Sequence, residues 1–131
     1  MKLNELIHKD EILDGNVDLE IKIESITSDS RMVQKNSVFV AIKGEARDGN
    51  EYILDAINNG AIVIVTEQKP QDAKVPHVMV ENARSIISKM YSRYYGLNNK
   101  AKIIAVTGTN GKSTVSYFIY NILGVQTNQL A

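Results

Sequence analysis

Cysteine and tryptophan are absent from the 131 residues, and only two prolines, two histidines and two phenylalanines occur. Without cysteine there is no disulfide framework and no thiolate metal site, which suits a reducing compartment without requiring one. The histidines, His8 and His77, lie far apart in the chain and read as surface or core-edge residues rather than metal ligands. An excess of one charge is also missing: 15 basic and 15 acidic residues leave a net charge of zero, so bulk electrostatics recommends no nucleic acid or other polyanion. No stretch approaches the roughly 20 apolar residues that span a bilayer. The amino terminus, "MKLNELIHKDEIL", carries charges where a secretory signal has its apolar core. The expectation is a cytoplasmic monomer with no nucleic-acid or membrane partner.

The remainder is ordinary for a globular chain, 44% hydrophobic and 23% charged, and long enough for one real core. Apolar spacing in "LNELIHKDEIL" predicts a short helix, and strict alternation over Leu19–Glu24 predicts a half-buried strand. "SVFVAIK", Ser37 to Lys43, reads as a second strand. "EYILDAINN" reads as a helix closed by Gly60, and "AIVIV", Ala61 to Val65, as a strand covered on both faces. "HVMVE" is a short strand. "ARSIISKMYSRYY" is a helix with Ile86, Ile87, Met90 and Tyr94 as its stripe, its tyrosines spaced for packing rather than base stacking. "KIIAVTG" is a last strand, and "STVSYFIYNILG" a helix with Val115, Phe118, Ile119 and Ile122 as its buried stripe. This alternation signals an α/β fold. The polar stretch "GLNNKAK" is the natural boundary, dividing the chain into 1–98 and 99–131.

Between the last strand and helix stands "TGTNGKST". Gly108 and Gly111 permit tight turns and close backbone approach, and the helix that follows points unpaired N–H groups into the loop. Lys112 supplies a charge for phosphate, and the Ser113 hydroxyl can ligate Mg²⁺. The common pattern G-x-x-x-x-G-K-[ST] asks for glycine where Val106 stands, and a plain glycine turn with Lys112 in solvent is the competing account. Upstream, "SDSR" offers Ser28 and Ser30 as neighbouring hydroxyls and Arg31, with Arg47, as forks for a diphosphate. On sequence alone the commoner outcome for such a stretch is a turn whose Asp and Ser bond their own backbone. Asp48-Gly49 reads as a tight turn without chemistry.

"TGTNGKST" resembles the ATP loop of the Mur ligases and their folylpolyglutamate synthetase relatives. Ser28 to Val65 resembles the first domain of the diamino-acid-adding Mur ligases, the UDP-N-acetylmuramoyl-tripeptide synthetases. The matching features, in order, are Asp29-Ser30-Arg31, Phe39-Val40-Ala41, Gly44, Asp48-Gly49 and Gly60-Ala61. The resemblance covers roughly residues 20–123. It implies a small mixed-sheet domain that binds a UDP precursor, followed by the first strand, P-loop and helix of an ATPase domain. It implies ATP-dependent ligation of L-lysine or meso-diaminopimelate to UDP-N-acetylmuramoyl-L-alanyl-D-glutamate through an acyl phosphate. By the same resemblance Ser28, Ser30, Glu45, Ala46 and Arg47 contact the precursor. Gly108, Thr109, Asn110, Gly111, Lys112, Ser113 and Thr114 hold the ATP phosphates, with Lys112 on the transferred phosphate and Ser113 on Mg²⁺.

One strand and one helix cannot cover both faces of a nucleotide-binding sheet. The chain is therefore expected to be an amino-terminal piece, inactive as a ligase by itself. A stand-alone UDP-sugar or nucleotide-binding module is the alternative from another class, and the tripeptide–D-alanyl-D-alanine ligase the alternative within the family. A small complete P-loop phosphotransferase is disfavoured, because no aspartate or glutamate follows Lys112.

Overall fold

The runs "SVFV" and "AIVIVT" carry apolar or small side chains at nearly every position, so strands built from them need cover on both faces. The computed structural model of the chain describes residues 1–45, 47–72, 75–97 and 104–127. In it these runs are β3 (Ser37–Val40) and β4 (Ala61–Thr66), paired in parallel inside a five-stranded mixed sheet. β2 (Ser25–Thr27) and β5 (His77–Met79) flank them in parallel, and the short β1 (Asp14–Gly15) adds antiparallel to β5. The order across the sheet is β1-β5-β4-β3-β2.

Successive side chains of a strand point to opposite faces, and here each face has its own cover. Val38, Val40, Val63, Val65 and Val78 join a cluster with Leu3 and Leu6 of α1 (Leu3–Leu6) and with Ile86, Ile87 and Met90 of α3 (Ala83–Tyr94). Phe39 and Ile64, partners in register, join Ala41 in a second cluster with Ile53 and Ala56 of α2 (Ile53–Asn58). The α/β class read from the sequence is the class observed.

Three elements depart from the sequence expectation. The Leu19–Glu24 alternation does not form a sheet strand. It makes one bridge, Lys22 to Lys2, because its carbonyls at Leu19 and Ile21 accept from Asn4 and Leu3 instead. The expected first helix is only α1 and a separate 3-10 turn, Lys9–Glu11, since Ile7 is already extended (φ −129°, ψ 123°). The expected strand at 103–106 is absent among its described residues: Ile104–Val106 have no ladder partner, and Ile103 lies outside the described residues.

The chain divides into two units, Met1–Asn98 and Asn99–Ala131. The first holds the sheet. The described part of the second is a loop leading into α4 (Lys112–Thr127). Its expected buried stripe is not buried: Val115, Phe118 and Ile122 are exposed, as are Tyr117, Tyr120 and Leu123. An apolar stripe is buried only where a second layer lies against it. Among the described residues no helix is long and apolar enough to cross a membrane.

Candidate functional site

Because β2 to β5 run in parallel, their carboxyl ends lie along one edge of the sheet, where ligand crevices of α/β proteins form. The segment after β2 and the loop after β3 enclose a cleft of about 390 Å³ at that edge. Ser28, Ser30 and Arg47 line it, together with Asp29, Arg31 and Gly49. Residues from two separate stretches of sequence are thus brought to one place. Glu45 does not line the cleft, and Ala46 lies outside the described residues.

The local chemistry of "SDSR" explains its shape. The Asp29 amide donates to Thr27 Oγ1 (3.0 Å), turning the chain as it leaves β2. Ser30–Met32 is a 3-10 turn, and Asp29 Oδ1 accepts from the Arg31 backbone N–H at 3.0 Å. The Arg31 guanidinium closes on the same carboxylate, Nε to Oδ1 at 2.9 Å and Nη2 to Oδ2 at 2.6 Å. This contact holds the Asp29 carboxyl down at about 2. The self-bonded turn and the ligand-facing segment are therefore compatible. Asp29 shapes the turn, while Ser28 and Ser30 line the cleft with hydroxyls that have no protein partner among the described residues. Arg31, by contrast, is occupied by Asp29. Arg47 is the cleft guanidinium with no side-chain partner among the described residues, which suits it to an anion.

Four further cleft residues escaped the sequence reading as site residues: Ile42, Gly49, Tyr52 and Asp55. Asp48 accepts from the Asn50 amide at 2.9 Å and starts the 3-10 turn Gly49–Tyr52, which feeds α2. This contact also depresses the Asp48 carboxyl. Gly49 donates to Ile42 O at 3.0 Å, and an added Cβ there would lie 2.6 Å from Ile42 N, so only glycine fits. The far end of α2 is pinned to the Ser30–Met32 turn, with Asn59 Nδ2 donating to Ser30 O at 3.0 Å. A signal for these residues was present. Asp55 and Asn59 are polar, exposed and four apart, the spacing that puts two side chains on one side of a helix.

A larger hollow of about 500 Å³ lies beside Leu54 and Gln68. Its charged lining is Asp48, Glu51 and Asp72 against Lys69, which is poor company for an anion. The smaller cleft, where Arg47 has no side-chain partner among the described residues, offers an anion the more favourable charge.

In the second unit, Gly108 (φ 147°) and Gly111 (φ 77°) adopt backbone conformations that side chains disfavour. Lys112 opens α4, and Val115 N returns to Gly111 O at 2.9 Å, so the first-turn amides of Lys112, Ser113 and Thr114 edge the loop. A cradle of glycines at a sixteen-residue helix start fits phosphate oxygens. Thr109 and Asn110 complete the loop as a bend. For Mg²⁺ the fit is partial: Ser113 offers a hydroxyl, and no group of three or more acidic or histidine side chains gathers among the described residues.

Residues 22–95 match the Mur ligase family, catalytic domain. The UDP-N-acetylmuramoyl-L-alanyl-D-glutamate–2,6-diaminopimelate ligase of Clostridium tetani is 42% identical over 94% of this chain and 26% of its own length. The corresponding ligase of Clostridioides difficile is 34% identical over 99% of this chain and 27% of its own. Among solved structures, the MurF ligase of Thermotoga maritima, in complex with ADP, superposes with a TM-score of 0.60 at 32% identity, covering 77% of this chain and 23% of that one. A UDP-N-acetylmuramoyl-L-alanyl-D-glutamate–2,6-diaminopimelate ligase shares the fold over 97% of this chain and 26% of that one, with a TM-score of 0.71 at 22% identity. The chain spans about a quarter of the length of these curated relatives. The family match over the sheet-bearing unit, with the whole-chain likeness to curated ligases, shows that this chain belongs to the Mur ligase family of ATP-dependent ligases.

Proposed function

We propose that this chain carries the precursor-recognition end of a cytoplasmic ligase that adds meso-diaminopimelate to UDP-N-acetylmuramoyl-L-alanyl-D-glutamate in peptidoglycan precursor synthesis. The observation that carries the reading is the convergence of Ser28, Ser30 and Arg47 on one cleft beyond β2 and β3. Two hydroxyls and one guanidinium without partners among the described residues are what a nucleoside diphosphate asks of a site. Glu45 and Ala46, next to Arg47, belong to the same substrate-contacting segment in this reading.

The loop Gly108–Thr114 is the ATP-phosphate cradle of the reading. Lys112 would neutralise charge on the transferred phosphate, and the Ser113 hydroxyl would be a ligand for Mg²⁺. ATP, when bound, supplies the phosphoryl group that makes the precursor carboxylate an acyl phosphate for attack by the amine. The 131 residues alone are not expected to ligate, because phosphoryl transfer needs acidic metal ligands and none follows Lys112. The choice of diaminopimelate over lysine is supported by the names of the curated relatives. The tripeptide–D-alanyl-D-alanine ligase is a second reading, supported by the MurF likeness, but that reaches only 32% over 77% of the chain against 42% over 94%.

Titration of the chain with the UDP-N-acetylmuramoyl dipeptide, and separately with ATP, tests the proposal. The precursor is expected to bind, with Arg47→Ala weakening it roughly tenfold through loss of a charge-assisted contact. ATP is expected to bind scarcely at all. Saturable ATP binding without precursor binding would sink the reading.

A further inference from the structure

Resting on that precursor reading, we propose that Asp55 is a specificity-determining residue of the cleft, its carboxylate accepting hydrogen bonds from the ribose hydroxyls of the nucleoside. Two carboxylates line the cleft, Asp29 and Asp55. Both oxygens of Asp29 are engaged by Arg31, through Nε, Nη2 and the backbone N–H. Asp29 therefore has little capacity left for a ligand. Asp55 is exposed, and its carboxylate has no hydrogen bond or ion pair among the described residues.

The position of Asp55 is set by the fold. α2 is seated by the burial of Ile53 and Ala56, and Asn59 at its C-cap holds Ser30 O. Asp55 thus stands on a seated helix and lines the same cleft as the hydroxyl-bearing turn. The chemistry also divides cleanly. A diphosphate is drawn to Arg47 and repelled by Asp55, so an acceptor-only carboxylate in the same cleft suits the part of the ligand that donates. In a nucleoside diphosphate the vicinal ribose diol offers two adjacent O–H donors, matching the two oxygens of one carboxylate.

The test uses the full chain and three probes, UDP, 2′-deoxy-UDP and 3′-deoxy-UDP, titrated by heteronuclear NMR so that weak binding is read residue by residue. UDP is expected to bind roughly tenfold more tightly than either deoxy analogue, the scale of a hydrogen bond to a charged group. Asp55→Asn and Asp55→Ala are expected to reduce that discrimination to about twofold or less while leaving the chain folded, because Asp55 is exposed. If UDP binds but the wild-type chain does not discriminate, or the variants still do, the Asp55 assignment falls and the precursor reading stands. If UDP does not bind, the precursor reading falls and the assignment with it.

Discussion

Arg93 forks onto Glu11 across 82 residues of chain, Nη1 to Oε2 at 2.6 Å and Nη2 to Oε1 at 2.9 Å. The same guanidinium donates to Leu6 O at 2.7 Å, and Lys89 Nζ reaches Glu11 Oε1 at 3.0 Å. Glu11 and Arg93 are only 11% and 15% exposed, so this cluster clamps the amino-terminal segment onto α3 with little solvent screening.

The clamp predicts an acid-sensitive fold. Chiefly through the Arg93 fork, the Glu11 carboxyl is lowered from 4.5 to about 2. A depressed carboxyl contributes stability that is complete above its unfolded value and lost as pH falls through the folded one. The window is therefore pH 4.5 down to 2, and the full contribution is at most roughly 3.5 kcal/mol. Denaturant melts at pH 7, 4.5, 3 and 2 would trace it. Glu11→Gln is expected to be less stable at pH 7 and to show a flatter profile across that window. An unchanged slope would assign the acid sensitivity elsewhere.

Gly49→Ala is expected to damage the cleft wall. Its Cβ would meet Ile42 N at 2.6 Å and Ile42 O at 2.7 Å, backbone atoms that cannot swing aside. The cost is about 1–3 kcal/mol, the range of an overpacked site. It is measured as a drop in melting midpoint together with weaker precursor binding. A variant with wild-type stability and affinity would mean that the loop after β3 moves freely.

Asn59 is predicted to be a positioning residue for the cleft. Its Nδ2 donates to Ser30 O, and the loss of one such bond is worth about 1 kcal/mol. Asn59→Ala should therefore weaken precursor binding roughly fivefold. Asn59→Asp should do no better, because a carboxylate cannot donate to a carbonyl. The two variants are compared by precursor affinity and by melting. Full affinity in Asn59→Asp would show that the helix polarity, not the donated bond, holds the turn.

The apolar runs of β3 and β4, the stripe of α3 and the glycine-lysine loop with its helix are local patterns, legible in the sequence alone. Periodicity marks which side chains must leave water, and glycines mark where the backbone must bend; neither needs a partner to be recognised. The Leu19–Glu24 alternation was equally local and misled, because its carbonyls are taken by Leu3 and Asn4, a competition no window of neighbouring residues contains. The cleft was decided the same way. Arg31 looked as available as Arg47 until the turn folded it onto Asp29, and Asp55 and Asn59 looked like ordinary helix surface until α2 docked beside Ser30. Composition and spacing determined which groups this chain carries and where its longer apolar strands and helices run. Only the packed sheet decided which of those groups are spent on each other and which remain free for a ligand, because hydrogen-bond partners are chosen by proximity in space and not by proximity in sequence.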